Sequence, residues 1–161
     1  MYTSQKKSPK SPYDYMKLSD VVLCYKPKIP LKDLPTITSS PAAYDILKRQ
    51  FGNCMYHHEE FAVIALNNKN SMVGLKTLFV GGLESVNIDP RVIFQFALGC
   101  NASGIITAHN HPSQNLTPSH ADDELVKLLI KQCVIMQIRF LDNLIVCNHS
   151  FYSFADEGYL L

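Results

Sequence analysis

Two histidines one residue apart, His109 and His111, are followed by Pro112 and, further along, by Ser119 and Asp122. Two imidazoles and one carboxylate make a borderline ligand set typical of catalytic zinc, which takes three protein ligands and keeps a fourth place for water. Residues i and i+2 leaving a strand project to one side, so both rings reach a common ion. Pro112 confines the backbone of His111 to extended conformations and holds that geometry. Ser119 and Asp122, three apart, are neighbours on the first turn of a helix. Zinc lowers the pKa of a water from about 15.7 towards ~7, and hydrolysis then needs a nearby proton acceptor that is not itself a ligand. Glu60 is the candidate, at the edge of an apolar strand, with Glu59 beside it. Neighbours on a strand face opposite sides, so only one of the two faces the site. Adjacency to Phe61, which opens the strand, selects Glu60. Ser119 has two compatible roles, as hydrogen-bond donor to a developing oxyanion and as N-cap of its helix.

These residues sit where α/β folds place ligands, between the end of a buried strand and the start of a helix. The strand is Gly104–Ala108, and Ser119 opens a long helix with an expected apolar stripe of Leu125, Leu128, Leu129 and Val134. Upstream, Ser40 can cap and Pro41 can open a helix that carries Tyr44, Leu47 and Phe51 on one face and stops at Gly52. Phe61–Leu66 is a near-continuous apolar run, as in a strand covered on both faces. Asn67–Asn70 has turn chemistry, and Met72–Val80 returns as a second strand. Asp89-Pro90 starts a further helix with Val92, Ile93, Phe96 and Ala97 at helical spacing. Ile138–Cys147 and Phe151–Phe154 are strands around a turn at Asn148–Ser150. The pattern predicts one α/β sandwich, a mixed sheet with helices on its faces. Residues 1–17 read as a flexible polar arm, residues 18–40 as a short strand (Val21–Tyr25) and an extended connection packing on the domain, and residues 41–161 as the domain itself.

The 161 residues suit one domain, and with 47% hydrophobic and 18% charged residues the chain can bury a core. Net charge is +1, but Lys6, Lys7, Lys10 and Lys17 stand against Asp14 alone in the arm. The body is therefore mildly acidic, a poor match for a phosphate backbone, so charge gives no support to a nucleic-acid partner. No apolar segment approaches the ~20 residues of a spanning helix, and the first seventeen residues hold no signal-peptide core. Five scattered cysteines without Cys-x-x-Cys, four of them in apolar stretches, argue against a disulfide framework. Together these features predict a cytoplasmic protein with no membrane partner. His57-His58, His120 and His149 read as solvated surface histidines.

The pattern His109-x-His111-Pro112-x7-Ser119-x-x-Asp122, with an upstream Glu before a Phe-led strand, resembles the JAMM motif of the JAB/MPN+ metalloprotease superfamily. Ala108–Ser113, Asn101–Gly104, Leu141–Val146 and Tyr152–Gly158 resemble, more closely, the bacterial RadC-like proteins. The likeness runs from Pro41 to the C-terminus, about three quarters of the chain. It implies a three-layer α/β/α sandwich similar to cytidine deaminases, zinc held by His109, His111 and Asp122, Glu60 as general base, and Ser119 assisting the tetrahedral intermediate. It further implies a zinc hydrolase in which activated water attacks a peptide or isopeptide carbonyl of a peptide or protein substrate. The RadC name also carries a DNA-repair or mobile-element accessory reading, and a non-catalytic, metal-stabilised binding module is a third. The motif's spacing selects Asp122 over Asp123 and Glu124, since consecutive helix residues point ~100° apart. Two residues depart from the family pattern: Gln114 stands where Gly is usual, and Asn143 where His is usual. Longer family members carry an N-terminal helix-hairpin-helix region, for which the residues ahead of Pro41 leave no room. A zinc deaminase is disfavoured, because the Cys-x-x-Cys ligands and the His-x-Glu element are missing.

Overall fold

A computed structural model describes residues 25–160, apart from residue 27 and residues 83–85. The polar arm, and the Val21–Tyr25 strand except its last residue, lie outside the described residues. Among the described residues, three α-helices, α1 (Ser40–Phe51), α2 (Pro90–Gly99) and α3 (His120–Ile135), accompany five strands. These are β1 (Glu60–Leu66), β2 (Met72–Val80), β3 (Gly104–Asn110), β4 (Arg139–Val146) and β5 (Phe151–Ser153). They form one open sheet in the order β2-β1-β3-β4-β5. Only β3 and β4 are parallel, and α3 makes the crossover such a pair requires. The sheet is mixed, as the strand and helix pattern predicts.

The apolar run of β1 has no polar alternation because both of its faces are covered. Ala62, Ile64 and Leu66, with Ile106, Ala108, Leu144 and Val146, pack under Ala43, Leu47 and Phe51 of α1. Phe61, Val63 and Ile105 pack on the other face against Ile93, Phe94 and Ala97 of α2 and Leu129 and Cys133 of α3. The result is three layers, with α1 alone on one side. The β1–β2 turn is held by the Asn67 side chain, whose Oδ1 accepts from the backbone N–H of Lys69 at 2.9 Å and of Ser71 at 3.0 Å. The preceding connection lies against β2, with Thr36 bridged to Ser71 and the Tyr25 hydroxyl donating to the Val73 carbonyl at 2.7 Å.

Two helix details differ from expectation. Ser39, not Ser40, is the N-cap residue of α1, and the Ser40 hydroxyl instead donates to Asp156. The buried stripe of α3 is Val126, Leu129 and Cys133, whereas Leu128 is 43% and Val134 74% exposed. Both stripes satisfy helical spacing. The phase is set by Asp122, which must face β3, and residues 126, 129 and 133 continue its row along the helix.

Asn110, fully buried at the end of β3, joins β3 to the connection between α1 and β1. Its Oδ1 accepts from the Glu60 N–H at 2.8 Å, and its Nδ2 donates to the His58 carbonyl at 2.9 Å. Asn110→Ala leaves these backbone groups unpaired in a buried place, at a cost of about 1–3 kcal/mol. A lower denaturation midpoint at unchanged denaturant slope is the expected result; an unshifted midpoint would contradict this role.

Candidate metal centre

Antiparallel pairing sets Phe61 opposite His109, so residues 59, 61, 109 and 111 share the face covered by α2 and α3. His109 is the penultimate residue of β3 and is 1% exposed; His111 follows the strand end. Its Nε2 lies 2.9 Å from that of His109. Asp122, on the first turn of α3, brings Oδ1 to 3.1 Å from His109 Nε2 and Oδ2 to 3.9 Å from His111 Nε2. The three residues the motif singles out thus converge.

Protons are scarce at this convergence. His111 Nδ1 lies 2.6 Å from the Asn115 carbonyl, which only accepts, so Nδ1 carries the proton and the neutral ring presents a bare Nε2. That lone pair, the Asp122 carboxylate and His109 Nε2 all point at one another. His109 Nδ1 is buried without a partner. Three acceptors with at most one proton to share are the donor chemistry a divalent cation satisfies, and the Asn115 carbonyl supplies the outer hydrogen bond that orients a ligating histidine. The residues fit zinc.

Ser119 caps α3 in a reciprocal box. Its hydroxyl donates to Asp122 Oδ2 at 2.7 Å and accepts from the Asp122 N–H at 3.2 Å. The Ser119 N–H also donates to Oδ2, at 2.7 Å. Burial alone would raise the Asp122 carboxyl, but the bond and charge of His109 and the bonds from Ser119 outweigh it and hold it well below the usual carboxylate range. Asp123 and Glu124 take no part in the cluster, and Glu124 pairs with Lys127 at 2.9 Å.

The carboxylate beside the cluster is Glu59. It lines a cavity of about 560 Å3 together with His111, Ser119 and Asp122, walled by Val86, Ile88 and Leu125. Burial pushes its carboxyl up, with Asp122 adding to the rise and His109 opposing it. Glu60, selected above for its place next to Phe61, is on the opposite face with Ala62 and Ile64, where its Oε1 meets His58 Nε2 at 3.0 Å. Alternation puts it there. Because β1 is apolar on both faces, the residues themselves carry no mark of which parity faces the histidines, and only the pairing with β3 reveals it.

Both departures from the family pattern are accommodated. Gln114 has φ 62°, the left-handed conformation for which glycine is the default. Its amide donates to the carbonyls of His111 (3.0 Å) and Met55 (3.3 Å), and its Oε1 accepts from the Asn148 N–H at 2.8 Å. Asn143 is fully buried and accepts from the Thr107 hydroxyl at 2.7 Å, supporting β3 two residues back from His109 on the same face.

A mixed-sheet α/β sandwich with two histidines at a strand end and an aspartate on the facing helix defines a JAB-type protein. The chain belongs to the RadC-like JAB domain family, whose pattern matches residues 37–159. It is 40% identical over 123 residues to the UPF0758 protein YfjY of Escherichia coli strain K12, covering 76% of each chain. A UPF0758 protein of Flavobacterium johnsoniae is 39% identical over 125 residues, covering 78% of this chain and 54% of the relative. YkfG, also of Escherichia coli strain K12, is 42% identical over 102 residues, covering 63% and 65% of the two chains. The chain thus spans about half the length of the Flavobacterium relative. No helix among the described residues is long and apolar enough to cross a membrane.

Burial and the nearby His109 charge lower the His111 pKa below 6.5, against the opposing pull of Asn115 and Asp122. A folded value below the unfolded one means the unfolded chain binds more protons in that interval, so stability falls as pH drops from 6.5 towards the folded value. Metal-free protein is expected to melt earlier across this window, and His111→Gln to lack that share of the decline. Parallel melting curves for the two proteins would contradict the assignment.

Proposed function

We propose that the chain is a zinc-dependent hydrolase of the JAMM metallopeptidase type, acting on a peptide or isopeptide carbonyl. The observation that carries this reading is the convergence of His109, His111 and Asp122 on one point, with a partly buried carboxylate on the same cavity. His109, His111 and Asp122 would hold a zinc, which when bound would supply Lewis acidity towards a carbonyl and a water. Glu59 takes the proton from the attacking water and returns it to the leaving amine, the general base and acid roles in turn. Its raised carboxyl suits both, because a base poised nearer the working pH also gives the proton back readily.

Ser119 is a positioning residue in this arrangement. Its single hydroxyl proton is donated to Asp122 Oδ2, which fixes the carboxylate towards the two histidines. The side chain also caps α3, so one group orients the ligand and secures the helix that carries it. The apolar walls of Val86, Ile88 and Leu125 favour a substrate that enters with an apolar segment beside its scissile bond.

Elemental analysis of protein purified without chelators, compared with His111→Ala, tests the ligands: the variant should lose one zinc equivalent per chain. Assay against a panel of peptide and isopeptide substrates tests the base. Glu59→Gln should keep the zinc and lower turnover by about 10²–10⁴-fold. Unchanged zinc content in His111→Ala, or wild-type turnover in Glu59→Gln, would overturn the reading.

A further inference from the structure

On the other face of the sheet, behind the cluster just described, three more ligand-type side chains meet. Cys54, in the short 3-10 turn after α1, His58 in the connection, and Glu60 at the start of β1 bring one ligand atom each within 4.8 Å of one another. We propose that Cys54, His58 and Glu60 form a second metal site, selective for a thiophilic divalent ion such as zinc. Thiolate, imidazole and carboxylate are all zinc ligands, with bonds of about 2.0–2.3 Å to the ion.

The surroundings are already built for a ligand role. His58 Nε2 faces Glu60 Oε1 at 3.0 Å, and its Nδ1 is met by His57 Nδ1 at 2.9 Å, an outer partner for a ligating imidazole. Asn110 Nδ2 donates to the carbonyls of both Cys54 (3.4 Å) and His58 (2.9 Å), holding the two ligand-bearing segments together. Cys54 is buried, whereas the side chains of His58 and Glu60 are 24% and 17% exposed, so an ion has an approach from solvent.

Nucleophilic chemistry is not what this cluster favours. The Cys54 thiol is buried and donates to the Phe51 carbonyl at 2.7 Å, so it is not presented to a substrate. A divalent ion replaces that proton: one Cys54 S–H bond breaks, one metal–sulfur bond forms, and the proton leaves to solvent. The site would clamp the connection between α1 and β1, the segment that also carries Glu59. Metal on one face of the sheet would thereby steady the acidic residue used on the other.

Cobalt(II) distinguishes the two centres, because only a thiolate ligand gives a sulfur-to-cobalt charge-transfer band in the near ultraviolet. The full chain, freed of metal and kept reduced, is titrated with cobalt(II) alone. A band should appear in the wild type and in His111→Ala, and be absent in Cys54→Ser. Glu60→Gln, which keeps the thiol and the side-chain shape, should need about tenfold or more cobalt to reach half its signal. No band in folded wild-type protein, or a band that survives in Cys54→Ser, would overturn the second site. Because the band is indifferent to His109, His111 and Asp122, either centre can fail without the other.

Discussion

The antiparallel register of β1 on β3, with Phe61 opposite His109, is the constraint on which both faces of this molecule depend. Side chains alternate with a period of two, so a slip of one residue would exchange every inward contact of β1. It would carry Glu59 away from the histidines and swap Ala62, Ile64 and Leu66 with Phe61 and Val63 between unlike cores. Bulk opposes that exchange, since the aromatic ring of Phe61 is fully buried beside Phe79 in the layer of α2 and α3. Asn110 adds a polar lock, because its hydrogen bonds to Glu60 and His58 can be made in one register only.

Placing α3 follows from the same constraint. Asp122 meets His109 and His111, and the row that continues from it along the helix is the one buried on the sheet. Helix phase and ligand geometry are therefore one requirement. The Ser119–Asp122 capping box serves both, since it starts the helix at the turn where the carboxylate must point.

Departures from the family pattern show how local cost is offset by local bonding. A left-handed backbone at a residue with a Cβ costs roughly 1–2 kcal/mol. Gln114 adopts it while tying the loop after His111 to Met55 and Asn148 through two hydrogen bonds, with a third to the His111 carbonyl. Met55 adjoins Cys54, so that side chain links the loop of one cluster to the turn carrying the other. Asn143 keeps a polar group beneath β3, where it satisfies the Thr107 hydroxyl. Its Nδ2 and His109 Nδ1, on the same face, are both buried without a partner.

Residue types and spacing alone determined the order of the elements, the mixed α/β class, and His109 and His111, while the spacing of the motif the chain resembles singled out Asp122. Each rests on short-range physics: strand and helix periods, turn chemistry at Asn67–Asn70, the cap at Ser119, and the donor chemistry of imidazole and carboxylate. Tertiary structure decided what depends on pairing across long separations. It set Glu59 rather than Glu60 on the face of the histidines through the β1–β3 register, and buried Val126 and Cys133 rather than Leu128 and Val134 through the docking of α3. It also assembled Cys54, His58 and Glu60 into a second cluster, although His57-His58 reads locally as a solvated pair. In the first two of these cases two local solutions were equally good by sequence, one parity or helix phase against another. Contacts between residues far apart in the chain, such as Phe61 with His109 and His109 with Asp122, broke the tie.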